Sequence, residues 1–306
     1  IFTPAPQPPL PFATAYRVTI DRSARAVSGR QLAAPHTFTF TTPTVRLLAV
    51  DRYRRDGRFD QPEVFLLRFN QPVHPAVVLQ HLNARAEPHR WNRPVLPPSV
   101  GTTTSDPASL QRFNAKIAAA DAAARSSAPF ALQLTTDWDK ERWPESPDLV
   151  VVETTAAPAP ETWLRLIVGP RVPSPQGPAT PGSEQSRLFQ LERAFFIRGF
   201  DCSRGCDPSR YNPLHLTTSV PLTRLRESTR VTRLTNTGAS PVTPAETASS
   251  REQWLSSGTN FSLEDLRMVQ PPATTYAVRV LAGLVPEDGQ QLGYTWSDAI
   301  ENWHAP

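Results

Sequence analysis

The sequence predicts an all-β chain of tandem β-sandwich units, with one short helical insertion in the middle unit. Three observations carry this. A small aromatic–Gly–Leu pattern recurs at fixed spacing. Proline is abundant, at 34 residues against 13 glycines in 306. Short stretches such as Thr37-Phe38-Thr39-Phe40-Thr41 alternate between apolar and polar residues, the period of a strand with one buried face.

Self-similarity at a fixed period marks repeated structural units. The first copy is Ala13-Thr14-Ala15-Tyr16 followed by Arg17-Val18-Thr19-Ile20, with Gly29 and Leu32 downstream. The third is Ala273-Thr274-Thr275-Tyr276 followed by Ala277-Val278-Arg279-Val280, with Gly289 and Leu292. In both, Gly stands 13 and Leu 16 positions after the Tyr. A looser middle copy reads Glu161-Thr162-Trp163-Leu164-Arg165-Leu166-Ile167, with Gly177 14 positions after the Trp. This spacing predicts that Trp163 holds the core position of Tyr16 and Tyr276.

Taken in order, residues 1–44 read as the C-terminal part of a truncated sandwich, closed by Pro43. Residues 45–197 read as a second sandwich. Its strands are expected at Val45–Val50, Val64–Phe69 and the run Leu188–Ile197, with a turn and strand edge at Asn70-Gln71-Pro72-Val73. Its insertion falls near 106–126. Asp106 is placed to cap a helix, Pro107 suits the first helical position, and Leu110, Phe113 and Ile117 recur at helical spacing. Residues 198–306 read as a third sandwich lacking its last strand. Leu214 and Val220 there are six apart, as are Leu67 and Val73, which predicts a shared early strand. Ser250–Ser256 is a weaker helical candidate, and Ser262–Leu266 a single turn.

Composition excludes several classes. Proline breaks helix interiors, so a helical bundle is out. The net charge of +4 comes almost wholly from arginine, because Lys116 and Lys140 are the only lysines. The arginines are scattered among 28 acidic residues, which argues against a nucleic-acid partner. The dense cluster Arg46, Arg52, Arg54, Arg55 and Arg58 carries Asp51, Asp56 and Asp60 within it and reads as a solvated strand-to-strand region. No run of 18 apolar residues is present, and Ile1-Phe2-Thr3-Pro4 does not read as a signal peptide. The chain reads as starting inside a larger protein.

Catalytic and metal-binding patterns are sparse. The histidines form neither H-E-x-x-H nor H-x-H, and no nucleophile elbow or phosphate loop occurs. His81 and His89 lie eight apart in a loop. Asp137 and Asp139 flank Trp138, a carboxylate pair of the kind a glycosidase uses, yet Lys140 and Arg142 beside them suit a salted surface loop. Asp201 with Asp207, and Asp51, Asp56 and Asp60 with Gly57, are oxygen-rich loops of the kind that can ligate calcium, although the second lacks the alternating D-x-D-x-D-G pattern. Asn260-Phe261-Ser262 fits a glycosylation sequon. Cys202 and Cys206 have the wrong spacing for a redox or zinc pair. They are either a small-loop disulfide, if the protein is exported, or two free thiols. No catalytic residue, cofactor or metal is predicted.

The Pro-rich lead, Ala-Thr-x-Tyr, alternating strand, Gly-x-x-Leu and Thr-Phe-Thr-Phe-Thr-Thr together resemble a bacterial Ig-like domain. A more specific resemblance lies in Leu284-Val285-Pro286-Glu287-Asp288-Gly289 through Tyr294, and in Ile300-Glu301-Asn302-Trp303-His304. It continues in Gly199-Phe200-Asp201-Cys202, Cys206-Asp207-Pro208 and Tyr211-Asn212-Pro213-Leu214. These resemble the N-terminal Ig-like region of bacterial alpha-2-macroglobulin proteins. The resemblance implies tandem Ig-like sandwiches in a periplasmic or cell-surface protease inhibitor. Proteases would be partners through the parent protein, macroglobulin-like domains would be neighbours, and any membrane anchor would lie outside this stretch. Neither cysteine is followed by the family's thioester motif, so only a scaffold role carries over. The alternative is a set of cell-surface carbohydrate-binding or adhesin modules built on the seven tryptophans.

Overall fold

Alternation of threonine with aromatic residues builds a hairpin at the front of the chain. Strand β1 (Ala15–Ile20) pairs antiparallel with β2 (His36–Thr41), Tyr16 opposite Phe40 and Val18 opposite Phe38. Residues directly opposite share a face, so Tyr16, Val18, Ile20, Phe38 and Phe40 line one side and the threonines the other. The computed structural model describes residues 9–97, 106–202, 206–207, 211–244, 255–268 and 273–301. The Ser250–Ser256 helix candidate falls almost wholly outside these residues, as do Trp254, Trp303 and His304.

A two-sheet sandwich follows. Its elements are β3 (Leu47–Arg54), β4 (Glu63–Phe69), α1 (Pro75–Gln80), β5 (Leu82–Ala86), α2 (Pro107–Arg125), β6 (Pro129–Phe130), β7 (Leu132–Leu134), β8 (Leu149–Thr154), β9 (Trp163–Val168) and β10 (Gln185–Gln190). The sheets run in the orders β3-β4-β8-β7 and β10-β9-β5-β6, all antiparallel. Phe65, Leu67, Val150 and Val152 of one sheet face Ala84, Leu164, Leu166 and Val168 of the other. The apolar run Val64–Leu67 is continuous because β4 is buried on both sides. Val64 and Leu66, with Val151, are covered by Tyr53, Trp138 and Trp143.

A second sandwich completes the chain: β11 (Ile197–Phe200), β12 (Leu214–Pro221), α3 (Leu222–Ser228), β13 (Thr229–Thr235), β14 (Gly238–Pro241), β15 (Ser257–Phe261), β16 (Thr275–Val280) and β17 (Trp296–Glu301). Its sheets are β11-β12-β15 and β14-β13-β16-β17. The wiring repeats that of the first sandwich. In each, a central strand ends, a short helix crosses to the other sheet (α1 or α3), and the next strand pairs with the first strand of a hairpin, β5 with β9 and β13 with β16. The chain is therefore all-β, with Ig-like β-sandwiches in tandem and a helical insertion in the first of them, which follows the hairpin.

The recurring motif has a backbone signature. Ala13, Glu161 and Ala273 all adopt left-handed φ, at 54°, 68° and 55°. Each stands three positions before the first residue on the apolar face of its hairpin, namely Tyr16, Leu164 and Tyr276. This corrects the middle copy. Leu164, fully buried, takes the place of the tyrosines, while Trp163 points to the other face and stacks on His89 with centroids 4.6 Å apart. Counted from Leu164, Gly177 falls 13 positions on, the spacing of Gly29 and Gly289. It is glycine because a Cβ there would lie 2.4 Å from the carbonyl oxygen of Ala13, where the first hairpin meets the next module.

Other expectations change. The run Leu188–Ile197 is not one strand: β10 ends at Gln190 and β11 begins at Ile197, in different sandwiches. Leu67 and Leu214 do lie on the equivalent strands β4 and β12, and Val73 and Val220 each stand two residues before the short helix that follows, although β4 ends at Phe69 while β12 runs to Pro221. The short helices α1 and α3 have too few residues for a periodic signal and were not foreseen. In α2, Asp106 caps through Ala108 N–H at 3.1 Å as expected. Its buried stripe, however, is Ser109, Phe113, Ala120, Ala123 and Ala124, and Leu110 is exposed.

Candidate functional site

Buried polar contacts converge where the two sandwiches join. The connecting residues Leu191–Phe196 contain no proline, so proline does not stiffen the joint. Its rigidity comes from hydrogen bonds instead. Arg52 Nη2 donates to Gln190 O at 2.6 Å, and Leu191 N–H to Thr162 O at 3.1 Å. Glu161 N–H donates to Glu192 O at 2.7 Å, and Glu161 Oε1 accepts from Ala194 N–H at 3.0 Å.

The other sandwich holds the same segment. Gln290 Nε2 donates to Arg193 O at 2.8 Å, and Gln290 Oε1 accepts from Phe195 N–H at 2.9 Å. Thr217 Oγ1 donates to Ala194 O at 2.6 Å and accepts from Phe196 N–H at 2.7 Å. Phe195 and Phe196 are buried in the second core. A connection whose peptide groups are bonded from both sides has little freedom to hinge.

A charge network braces it. Arg54 Nε sits 3.1 Å from Glu63 Oε2 and 2.6 Å from Glu192 Oε2, and Arg52 Nη1 sits 2.7 Å from Glu63 Oε1. Arg54 Nη2 donates to Pro158 O at 2.9 Å, and its Nη1 to Gln61 O at 2.8 Å. Arg54 is 5% exposed and Glu63 0%. The solvated reading of this arginine cluster therefore fails for Arg54, because β3 turns it under the linker. Burial raises the Glu63 pKa, against the lowering effect of the Arg52 hydrogen bond. The outer members do lie at the surface: Arg58 pairs with Asp60 at 2.8 Å, both about half exposed.

The third brace is α2. Although inserted between strands of the first sandwich, it packs on the core of the second through Phe113 and Ala120. Ser109 Oγ accepts from Thr295 N–H at 3.0 Å, Arg112 Nε donates to Gly293 O at 2.6 Å, and Lys116 Nζ donates to Gln291 O at 2.6 Å. Steps of three and four residues along a helix advance roughly 4.5–6 Å, a little less than the rise of two extended residues. The helix and the 291–295 segment thus run antiparallel in register.

Beside this contact lies a cavity of about 270 Å³, lined by Phe59, Lys116, Ala119, Ala159, Ala194 and Gln290 among others. Lys116 Nζ stands 5.9 and 5.6 Å from the ring centres of Phe195 and Phe196. Burial lowers its pKa to about 8, opposed by the charge of Asp288. Sequence reading passed over Lys116. The scarcity of lysine in an arginine-rich chain was the one available signal.

The residues weighed for chemistry are dispersed. Asp137 pairs with Arg55, which also holds Glu153 at 2.6 Å. Asp139 accepts from Arg142 N–H at 2.9 Å and shapes a turn. Asp201 contacts His215 Nε2 at 2.5 Å. His89 stacks on Trp163, and His81 ends α1. Asn260 of the sequon lies on β15, where its Oδ1 meets His215 Nδ1 at 2.6 Å. Among the described residues no group of three metal-ligating side chains converges. Of the described tryptophans, Trp296 is fully buried, Trp138 and Trp143 cover the outer face of β4, and Trp91 packs near Phe196. Cys202 and Cys206 are joined as a disulfide, with Cα atoms 5.3 Å apart.

Fold and joint together define a non-hinging tandem of Ig-like sandwiches. No protein-family model and no curated protein matches the sequence. Among solved structures, the chain aligns with native Escherichia coli alpha-2-macroglobulin spanning domains MG0-NIE-MG1. That alignment has 11% identity and a TM-score of 0.25, over 85% of this chain and 90% of that one. It also aligns with the cryo-EM native conformation of E. coli alpha-2-macroglobulin, at 11% identity and a TM-score of 0.26, covering 85% of this chain and 18% of that one. A mutant Salmonella alpha-2-macroglobulin gives 14% identity and a TM-score of 0.25, over 83% and 16% of the two chains. TM-scores this low carry no argument about fold or function.

Proposed function

We propose that the chain is a non-catalytic scaffold of a bacterial exported, alpha-2-macroglobulin-like protease inhibitor. In this reading the two sandwiches on either side of Leu191–Phe196 are separate modules held at a fixed angle, the boundary falling before Ile197 of β11. The observation that carries the scaffold part is the joint, where both modules and α2 bond the connecting peptide groups. A spacer that presents neighbouring domains needs such stiffness, and an enzyme cleft that must open does not. The inhibitor part rests on the sequence resemblance at 199–214 and 284–304. The Cys202–Cys206 disulfide suits an oxidising compartment, in keeping with the periplasm or cell surface. Proteases would be met by the whole parent protein, and the flanking partners would be macroglobulin-like domains.

The test is made on the complete parent protein, incubated with a general protease and run on size exclusion. A stable complex supports the reading. A catalytic domain downstream, or digestion without complex formation, overturns it.

A further inference from the structure

The hairpin β1–β2 is half of something. Residues 13–41 correspond to 273–301 without a gap: Tyr16 faces Phe40 as Tyr276 faces Ile300, and Ala15 faces Thr41 as Thr275 faces Glu301. The turn glycines match too, Gly29 at φ 80° and Gly289 at φ 82°. Exposure does not match. Ile20, Leu32 and Phe40 are 38%, 40% and 39% exposed, whereas their counterparts Val280, Leu292 and Ile300 are 0%, 0% and 3% exposed. In the first sandwich, Leu164 and Val168 of the equivalent hairpin are likewise fully buried.

The edge is open as well as the face. The first strand of the equivalent hairpins pairs on its far side with β5 or β13. Among the described residues β1 pairs with β2 alone. An apolar face with an unpaired edge is what a sheet presents when its partner is elsewhere. Meanwhile the base of the hairpin is fixed to the next module: Ala179 N–H donates to Ala13 O at 2.9 Å, and Phe12 N–H to Gln176 Oε1 at 3.0 Å.

What fits the face follows from the two complete copies. In both, the covering sheet and the flanking strand come earlier in the chain than the hairpin. The twelve residues before Ala13 hold five prolines and are too few to supply a sheet. We propose that the aromatic face and open edge of β1–β2 dock an antiparallel β-sheet contributed by the polypeptide ahead of Ile1. Its apolar face would close on Tyr16, Val18, Ile20, Leu32 and Phe40, giving a third sandwich of the same wiring. This rests on the tandem-sandwich part of the proposed function and not on the inhibitor part, so a parent of different activity leaves it standing.

The test compares amide hydrogen exchange in residues 1–306 with that in the same chain extended upstream by its own coding sequence. In the extended chain, β1 and β2 amides slow by roughly ten-fold or more, and amides of β4 and β16 stay as they were. In that chain Val18→Asp on the apolar face abolishes the protection, while Thr19→Asp on the other face keeps it. Unchanged exchange on extension overturns the proposal. So does an upstream sequence without strands, or protection in residues 1–306 that grows with concentration and persists in the extended chain, which would make a second copy the occupant.

Discussion

The ring of Phe113, on a helix inserted into the first sandwich, stands edge-on to Tyr294 of the second, with centroids 4.9 Å apart and planes at 78°. Phe113 also meets Phe196 of the linker at 6.0 Å. One side chain therefore touches the joint and the far module at once. Edge-to-face pairs add to the area they bury.

Phe113→Ala is expected to cost about 3–5 kcal/mol, the range for truncating a buried aromatic. The loss falls on the coupling between modules. The wild-type chain should unfold the two sandwiches together in urea, and the variant should show two separated transitions. A single transition shifted as a whole would mean that α2 belongs energetically to one module.

The Arg54–Glu63–Glu192 network predicts asymmetric effects. Arg54→Ala leaves Glu63, with no exposed surface, facing Arg52 alone, and is expected to cost about 3–5 kcal/mol. Replacing both partners, Arg54→Met with Glu63→Leu, should cost clearly less, because the fully buried carboxylate goes with the arginine and Glu192 keeps Arg52 at 3.8 Å. Denaturant midpoints of the three proteins decide this.

Stability should also respond to alkaline pH through Lys116. Its folded pKa lies near 8 against an ordinary 10.5, so between those values the unfolded chain holds a proton that the folded chain has lost. Stability then rises with pH across that window, and below pH 8 the folded state carries the full cost of a charged, desolvated amine. Burial pushes the Tyr294 hydroxyl upward, so above its ordinary value of 10 only the unfolded chain ionises there and stability falls with pH, a contribution that cancels when wild type is compared with a Lys116 variant. Lys116→Met should be more stable than wild type at pH 7, and the gap should close toward pH 10.5. Denaturation curves at four or five pH values would show it.

The sandwiches were legible because their signals are local: alternation in Thr37–Thr41, the apolar run of β4, and the fixed Tyr-to-Gly spacing. The helix was legible from Asp106 and Pro107, yet its partner was not. Leu110 and Phe113 look alike in sequence, and only the position of the 291–295 segment decides which is buried. The joint was invisible for the same reason. Glu161, Thr217 and Gln290 are ordinary polar residues until three distant stretches of chain converge on Arg193–Phe196. Arg54 resembled its exposed neighbours because burial of a single charge leaves no trace in composition.

The register of the middle repeat can be tested directly. The motif's aromatic residue suggests Trp163 as the core member, whereas the left-handed residue three positions before Tyr16, Leu164 and Tyr276 assigns Leu164. Leu164 is fully buried between the sheets, so Leu164→Ala removes methyl groups from a closed core and should cost about 2–5 kcal/mol. Trp163 is half-buried on the opposite face, where His89 covers one side of its ring. Trp163→Ala should cost roughly 1–2 kcal/mol, in line with partial burial and one lost stacking contact. If the tryptophan variant proves the more damaging in denaturant, the aromatic residue rather than the left-handed turn sets the equivalence of the three hairpins, and the pairing of Tyr16 with Leu164 is wrong.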